Sequence, residues 1–220
     1  MKHFDNDFAG FFTDLEKNNN RDWFIDNKKR YESSVKDPFH RFVEDLIGRL
    51  SEIYPSLTIQ PKDTIFRINR DIRFSPDKTP YKIQMSALIS EGGKKDKTTP
   101  GFYVQASHKD IRVYSGCHVL DKDQLASVRT LISENLEEFK KLISNKNFVD
   151  TFGDILGEKN KRLSPEFAAL EEKQPLIANK SFYYFFKYPS SSLTKDDLVD
   201  KLMAGYKNAL PLNRFFERAF

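Results

Sequence analysis

Cysteine occurs once in these 220 residues, tryptophan once and methionine three times. A lone Cys117 excludes an internal disulfide, and the compartment expected for such a chain is a reducing one. Nowhere do about 18 apolar residues follow one another, so no transmembrane helix is expected. The opening Met1-Lys2-His3-Phe4-Asp5-Asn6-Asp7 lacks the apolar stretch of a secretory signal, and the expected location is the cytoplasm. The four histidines, His3, His40, His108 and His118, fall at no metal-binding spacing, so neither a metal nor a cofactor is expected.

The common catalytic signatures are missing as well. No G-x-S-x-G elbow, Walker loop or G-x-G-x-x-G is present, which removes the usual hydrolase, P-loop and dinucleotide readings. Cys117 and His118 are adjacent and on a strand would face opposite ways, so they make no nucleophile–base pair. The run Gly92-Gly93-Lys94-Lys95-Asp96-Lys97 has no helix or hydroxyl after it and reads as a solvated hairpin tip.

What the chain does have is phenylalanine, twenty of them, spread at helix and strand spacings and read as core. Hydrophobic residues make up 39% and charged residues 31%, with a net charge of +4 and a pI near 8.9, enough for one substantial core. Phe4, Phe8, Phe11, Phe12 and Leu15 recur at three- and four-residue steps, predicting an amphipathic helix. A turn at Asn18-Asn19-Asn20 stops it and caps a second helix from Arg21 past Tyr31. A third is expected to start at Asp37 as N-cap, with Pro38 in its first turn, and to end by Pro55.

The period then changes to two. Ile65–Phe74, Ile83–Ser90, Phe102–Ser107 and Ile111–Tyr114 read as strands. Helices return through Leu125–Leu142, capped by Asp121 or Asp123, and around Phe148–Ile155, stopping at Gly157. Phe182–Tyr188 alternates as a further strand. Thr194 with Asp197 forms a near capping box before a last helix that Pro211 bends or restarts. The expectation is a single α+β domain with a mostly antiparallel sheet packed with helices. Its helices run over 4–54, its strands over 64–116, and further helices with one strand over 121–220.

The segment Arg67–Lys82 concentrates charge. Arg67, Arg70, Arg73, Lys78 and Lys82 face only Asp71 and Asp77. In an ideal strand Phe66, Ile68, Ile72 and Phe74 share one face, and Arg67, Asn69, Asp71 and Arg73 the other. Arg70 falls on the apolar face, so it is either buried and paired or re-aimed by a bulge. Neighbouring cations about 7 Å apart repel by roughly 2 kcal/mol at an effective dielectric near 20. A bound phosphate or carboxylate would relieve this, and arginine suits either. Ser75-Pro76-Asp77-Lys78-Thr79-Pro80 follows as a turn stiffened by two prolines.

Two blocks carry a family resemblance. One is Asn19-Asn20-Arg21-Asp22-Trp23-Phe24 with Asn27-Lys28 and Tyr31, and the other runs from Ile65 to Lys82. In these the chain resembles the domain-of-unknown-function 2461 family of uncharacterised bacterial and fungal proteins. Weaker agreement continues through Gly101-Phe102-Tyr103, Tyr114-Ser115-Gly116 and Leu125–Arg129. Where family members carry a Pro-Lys-Gly step, this chain has Arg162–Phe167. The resemblance implies a common fold and a shared motif, and no activity.

Three functions stay open. The leading one is a basic pocket for an anionic small molecule bearing phosphate or carboxylate. Arg67, Arg70 and Arg73 would hold the anion, Lys78 and Lys82 would add charge, and Tyr81 would line the wall. Arg21, Asp22, Trp23, Asn27 and Lys28 would stand behind them. The second is a nucleic-acid binder using the same strip with Lys94–Lys97, and the third an interaction module whose Arg/Asp lattice is architectural. No nucleophile is apparent, whether the chain is an enzyme is left open, and Asp71 or Asp77 would be the general base of any catalysis.

Overall fold

Asp5 begins the first helix by accepting the backbone N–H groups of Asp7 and Phe8 at 2.9 and 3.3 Å. The computed structural model describes residues 1–96 and 100–220, and Lys97 of the expected basic loop lies outside them. Helix α1 spans Asn6–Lys17, α2 Arg21–Asp26 under an Asn20 cap, and α3 Lys28–Tyr31. A π turn, Glu32–Lys36, then leads without a break into α4, Asp37–Ser51. A short α5 spans Pro61–Thr64. Strands β1 Gln84–Ile89, β2 Phe102–Ser107 and β3 Asp110–Cys117 follow. Helices α6 Lys122–Glu134, α7 Leu136–Ile143, α8 Lys146–Phe152 and α9 Pro165–Glu171 precede β4, Phe182–Pro189. The chain closes with α10 Leu198–Lys207 and α11 Leu210–Glu217. The strands form one antiparallel sheet in the order β1-β2-β3-β4, and the fold is α+β.

Three expectations are corrected. Asp37 is no N-cap, because its N–H donates to Glu32 O five residues back. The widened turn lets Pro38 sit inside a continuing helix without breaking it. The helix around Phe148 stops at Gly153, not Gly157, since Gly153 takes φ +68° with ψ −122°, a backbone conformation open mainly to glycine and incompatible with a continuing helix. Ile65–Phe74 is not a strand. It keeps two isolated antiparallel bridges, Ile65 to Ala87 and Asn69 to Tyr81, joined by irregular chain. Asp121 is the cap expected of it, in a full capping box with Gln124.

The chain groups into two compact units. The first comprises residues 1–94, 103–113 and 187–203, and the second 95–102, 114–186 and 204–220. In the first, Phe8, Phe11, Phe12 and Leu15 of α1 and Phe39, Phe42, Val43 and Leu46 of α4 have no exposed surface. Burying such side chains contributes roughly 1.5–3 kcal/mol each before entropy is counted. Arg30 fixes α1 against α3 by donating to both Asp7 carboxylate oxygens and to Asp14 at 2.8 Å.

In the second unit, Phe139, Phe215 and Phe216 pack together, and Phe216 continues onto Phe182. Asn213, fully buried, centres a polar knot. Its Oδ1 accepts from Tyr184 OH and lies 3.0 Å from Ser115 Oγ, and its Nδ2 donates to Tyr206 OH at 3.3 Å. The single Ser115 hydroxyl proton is shared between Asn213 Oδ1 and Gly101 O, each 3.0 Å away. The phenylalanine expectation holds with two exposed exceptions, Phe220 at the C-terminal end and Phe74, which is 93% exposed.

Candidate functional site

The basic segment is a broken hairpin whose ladder has been replaced by side-chain oxygens. Three ladder bonds survive: Phe66 N to Ser86 O at 2.9 Å, Arg70 N to Pro80 O at 2.9 Å and Lys82 N to Ile68 O at 2.8 Å. Pro76 and Pro80 have no N–H to give. Asp71 Oδ1 takes the Arg73 N–H at 3.3 Å, and Asp77 Oδ1 takes both the N–H and the hydroxyl of Thr79 at 2.9 Å. Aspartates that satisfy nearby backbone donors in this way compete with strand pairing, which is why period two here did not yield a strand.

The two acids also consume two of the arginines. Arg73 makes a bidentate pair with Asp71, Nε at 2.9 Å and Nη2 at 2.7 Å. Arg70 Nη1 reaches Asp77 Oδ2 at 2.5 Å and also meets Thr79 Oγ1 and Thr79 O, closing the turn. Arg70 is therefore paired, as one of its two expected states required, but half-buried rather than buried. Both acids are favoured in their ionised form: the Arg73 guanidinium holds Asp71 below the ordinary carboxylate range. The Thr79 N–H, then Arg70, hold Asp77 down at about 2. Both are weak proton acceptors near neutral pH. Lys78 Nζ donates to Ile72 O at 2.9 Å.

Arg67 and Lys82 are left. Neither has a carboxylate within ion-pair distance among the described residues. Lys82 Nζ stands 5.5 Å from the centre of the Phe66 ring, half-buried. Desolvation lowers its ammonium from the ordinary lysine value, and the positive charge of Arg67 lowers it further. Phe66 in turn meets Tyr103, ring centres 6.0 Å apart.

Tyr81 is fixed from the N-terminal block, through residues other than those expected. Asn19 Nδ2 donates to Tyr81 O at 2.9 Å and Asn19 Oδ1 accepts the Tyr81 N–H at 3.1 Å, so the amide stands in for a neighbouring strand. Phe24 stacks on the buried Tyr81 ring at 4.0 Å and 17°. Of the expected supporting group, Trp23 packs on Phe11 and Asn27 Nδ2 donates to Trp23 O. No hydrogen bond or ion pair among the described residues joins Arg21, Asp22, Asn27 or Lys28 to residues 67–82. Asn19, Phe24 and Phe66 were the residues missed. Asn19 sits in the Asn18-Asn19-Asn20 run, whose local turn and capping signal, fulfilled by Asn20, gave no sign of a partner 62 positions away.

No group of three or more His, Cys, Asp or Glu that could hold a metal occurs among the described residues. Nor is any described helix long and apolar enough to cross a membrane.

An antiparallel sheet dressed with helices, carrying an arginine- and proline-rich broken hairpin clamped by an asparagine, defines the class. The chain belongs to the DUF2461 family, described as "Conserved hypothetical protein", whose profile matches residues 7–215. No curated protein and no solved structure matches it.

Proposed function

We propose that this protein binds a phosphate- or carboxylate-bearing small molecule through Arg67 and Lys82, with Phe66 beneath the ammonium. One observation carries the reading: half-buried Lys82 feels the positive charge of Arg67, and among the described residues no carboxylate lies within ion-pair distance of either, Asp71 acting on Arg67 only from farther off. An anion between them would offset both the desolvation of Lys82 and the mutual repulsion. Arg70, Arg73 and Lys78 serve this site at one remove, because their internal partners shape the turn that follows Arg67. Asp71 and Asp77 act there as braces and not as bases.

A thermal-shift panel of phosphate, sulfate, nucleotides, sugar phosphates and dicarboxylates tests the proposal. Stabilisation by one chemical class and loss of it in an Arg67/Lys82 double variant are expected. A flat response across the panel refutes it.

A second reading has its own observation. Phe74 is almost wholly exposed, and the Arg73 guanidinium lies 5.7 Å from its ring, an arrangement suited to stacking on a nucleobase. That reading requires single-stranded nucleic acid to bind with an affinity falling steeply in salt. Loss of binding in Phe74→Ser but not in Lys82→Met would favour it over the small anion.

A further inference from the structure

Lys82 carries an amine that the fold holds in place and leaves without a partner. Its main chain is pinned by the bond from its N–H to Ile68 O at 2.8 Å. The side chain then lies half-buried against Phe66, with Nζ 5.5 Å from the ring centre. Among the described residues its Nζ makes no hydrogen bond and meets no carboxylate at ion-pair distance. The unpartnered side-chain polar atoms closed off from solvent among those residues are His108 Nδ1 and Asn179 Oδ1. Lys82 Nζ is not one of them, so a solute can reach it.

Other lysines are placed differently. Lys78 and Lys94 donate to the carbonyls of Ile72 and Lys62 at 2.9 Å, and Lys109 and Lys201 pair with Glu16 and Asp197. Each of those amines is occupied. At Lys82, partial burial strips water from the amine and Arg67 sets a like charge nearby, and both oppose the ammonium form. A desolvated lysine beside a second cation is the setting in which an amine becomes a nucleophile near neutral pH.

We infer that Lys82 captures a small 2-oxo acid as an imine, with Arg67 holding the carboxylate. The inference rests on the anion reading above and names the substrate class of that same site. A 2-oxo acid carries its carbonyl carbon one bond from the carboxylate, which suits an amine and a guanidinium close enough to feel each other. The Nζ lone pair adds to the carbonyl carbon and forms a C–N bond. The C–O bond then breaks, and the oxygen departs as water with the two protons of the neutral amine. No oxidant or reductant enters. Capture is reversible binding and goes no further, because Asp71 and Asp77 are held ionised by their own partners and take no proton from the adduct.

Pyruvate is the probe and lactate its control, since lactate has the carboxylate and lacks the carbonyl. Full-length protein at mildly alkaline pH is incubated with each, reduced with sodium cyanoborohydride and mapped by peptide mass spectrometry. Pyruvate is expected to mark Lys82 at least tenfold faster than any other lysine, and lactate to mark none. Arg67→Met, at an exposed position, should slow the marking of Lys82 at least tenfold and leave the other lysines as they were. Even marking of many lysines, no marking of Lys82, or marking that Arg67→Met leaves unchanged overturns the inference. Thermal shift in lactate and in phosphate separates the two readings. A Tm raised by either anion without trapping of pyruvate overturns the imine and leaves the anion site standing, whereas no shift and no trapping overturns both.

Discussion

Replacing Lys82 with methionine isolates the anion site, because the side chain keeps its apolar length against Phe66 and loses only the charge. A charge-assisted hydrogen bond contributes roughly 1.5–3 kcal/mol. Two of them, from Arg67 and Lys82, give about 4.5 kcal/mol at mid-range, equivalent to a Kd of about 0.5 mM. Phosphate at about 10 mM then stabilises the folded chain by about 1.8 kcal/mol. For a chain of this size that raises Tm by roughly 4–7 °C. Lys82→Met removes one bond and weakens binding by about 10- to 100-fold, so the shift should fall to roughly a third or less. Arg73→Ala should lower the shift less than Lys82→Met does, because the Arg73 guanidinium is held by Asp71 and braces the turn without touching the anion. The assay is thermal unfolding in phosphate against sodium chloride of matched ionic strength. An equal shift in the chloride control would mean general screening, and an undiminished shift in Lys82→Met would sink the assignment.

Four further outcomes are expected. Because the fold lowers the Lys82 pKa, the folded chain releases that proton at lower pH than the unfolded chain. Stability should therefore rise with pH between the depressed value and 10.5, and phosphate should flatten the rise, as read from urea melts across alkaline pH. Asn213→Leu removes hydrogen bonds to Ser115, Tyr184 and Tyr206 at about 1 kcal/mol each, so urea denaturation should show a loss of about 3 kcal/mol. Gly157→Ala should cost about 2 kcal/mol by forcing a Cβ onto Ser181 O. Gly48→Ala, in α4 with nothing within 4 Å, should gain about 0.5–1 kcal/mol in the same melts.

Local chemistry was the most legible part of the sequence. The alternation of Phe102–Ser107 matched β2 to the residue, and the choice between Asp121 and Asp123 as cap placed the start of α6 within two residues, because both signals are local. Ile65–Phe74 was misleading for the same reason. Its alternation is real, but Asp71, Asp77 and two prolines supply turn chemistry that outweighs it. The charge excess at 67–82 was visible at once, whereas its partition into arginines paired at contact distance and an Arg67 and Lys82 without such a pair required the turn geometry. The role of Asn19 was beyond reach, because its partner Tyr81 lies 62 residues away.

The π turn at Glu32–Lys36 amounts to a single surplus amino acid inside a helix that otherwise runs from Lys28 to Ser51. One residue advances a helix by about 100°. Upstream of that surplus, Arg30 faces the aspartates of α1, and downstream, Phe39, Phe42 and Leu46 face inward. Excising one of the five would straighten the rod and rotate one set of side chains away from its counterpart. A one-codon deletion here is thus a phase error, felt by every downstream position of the helix at once.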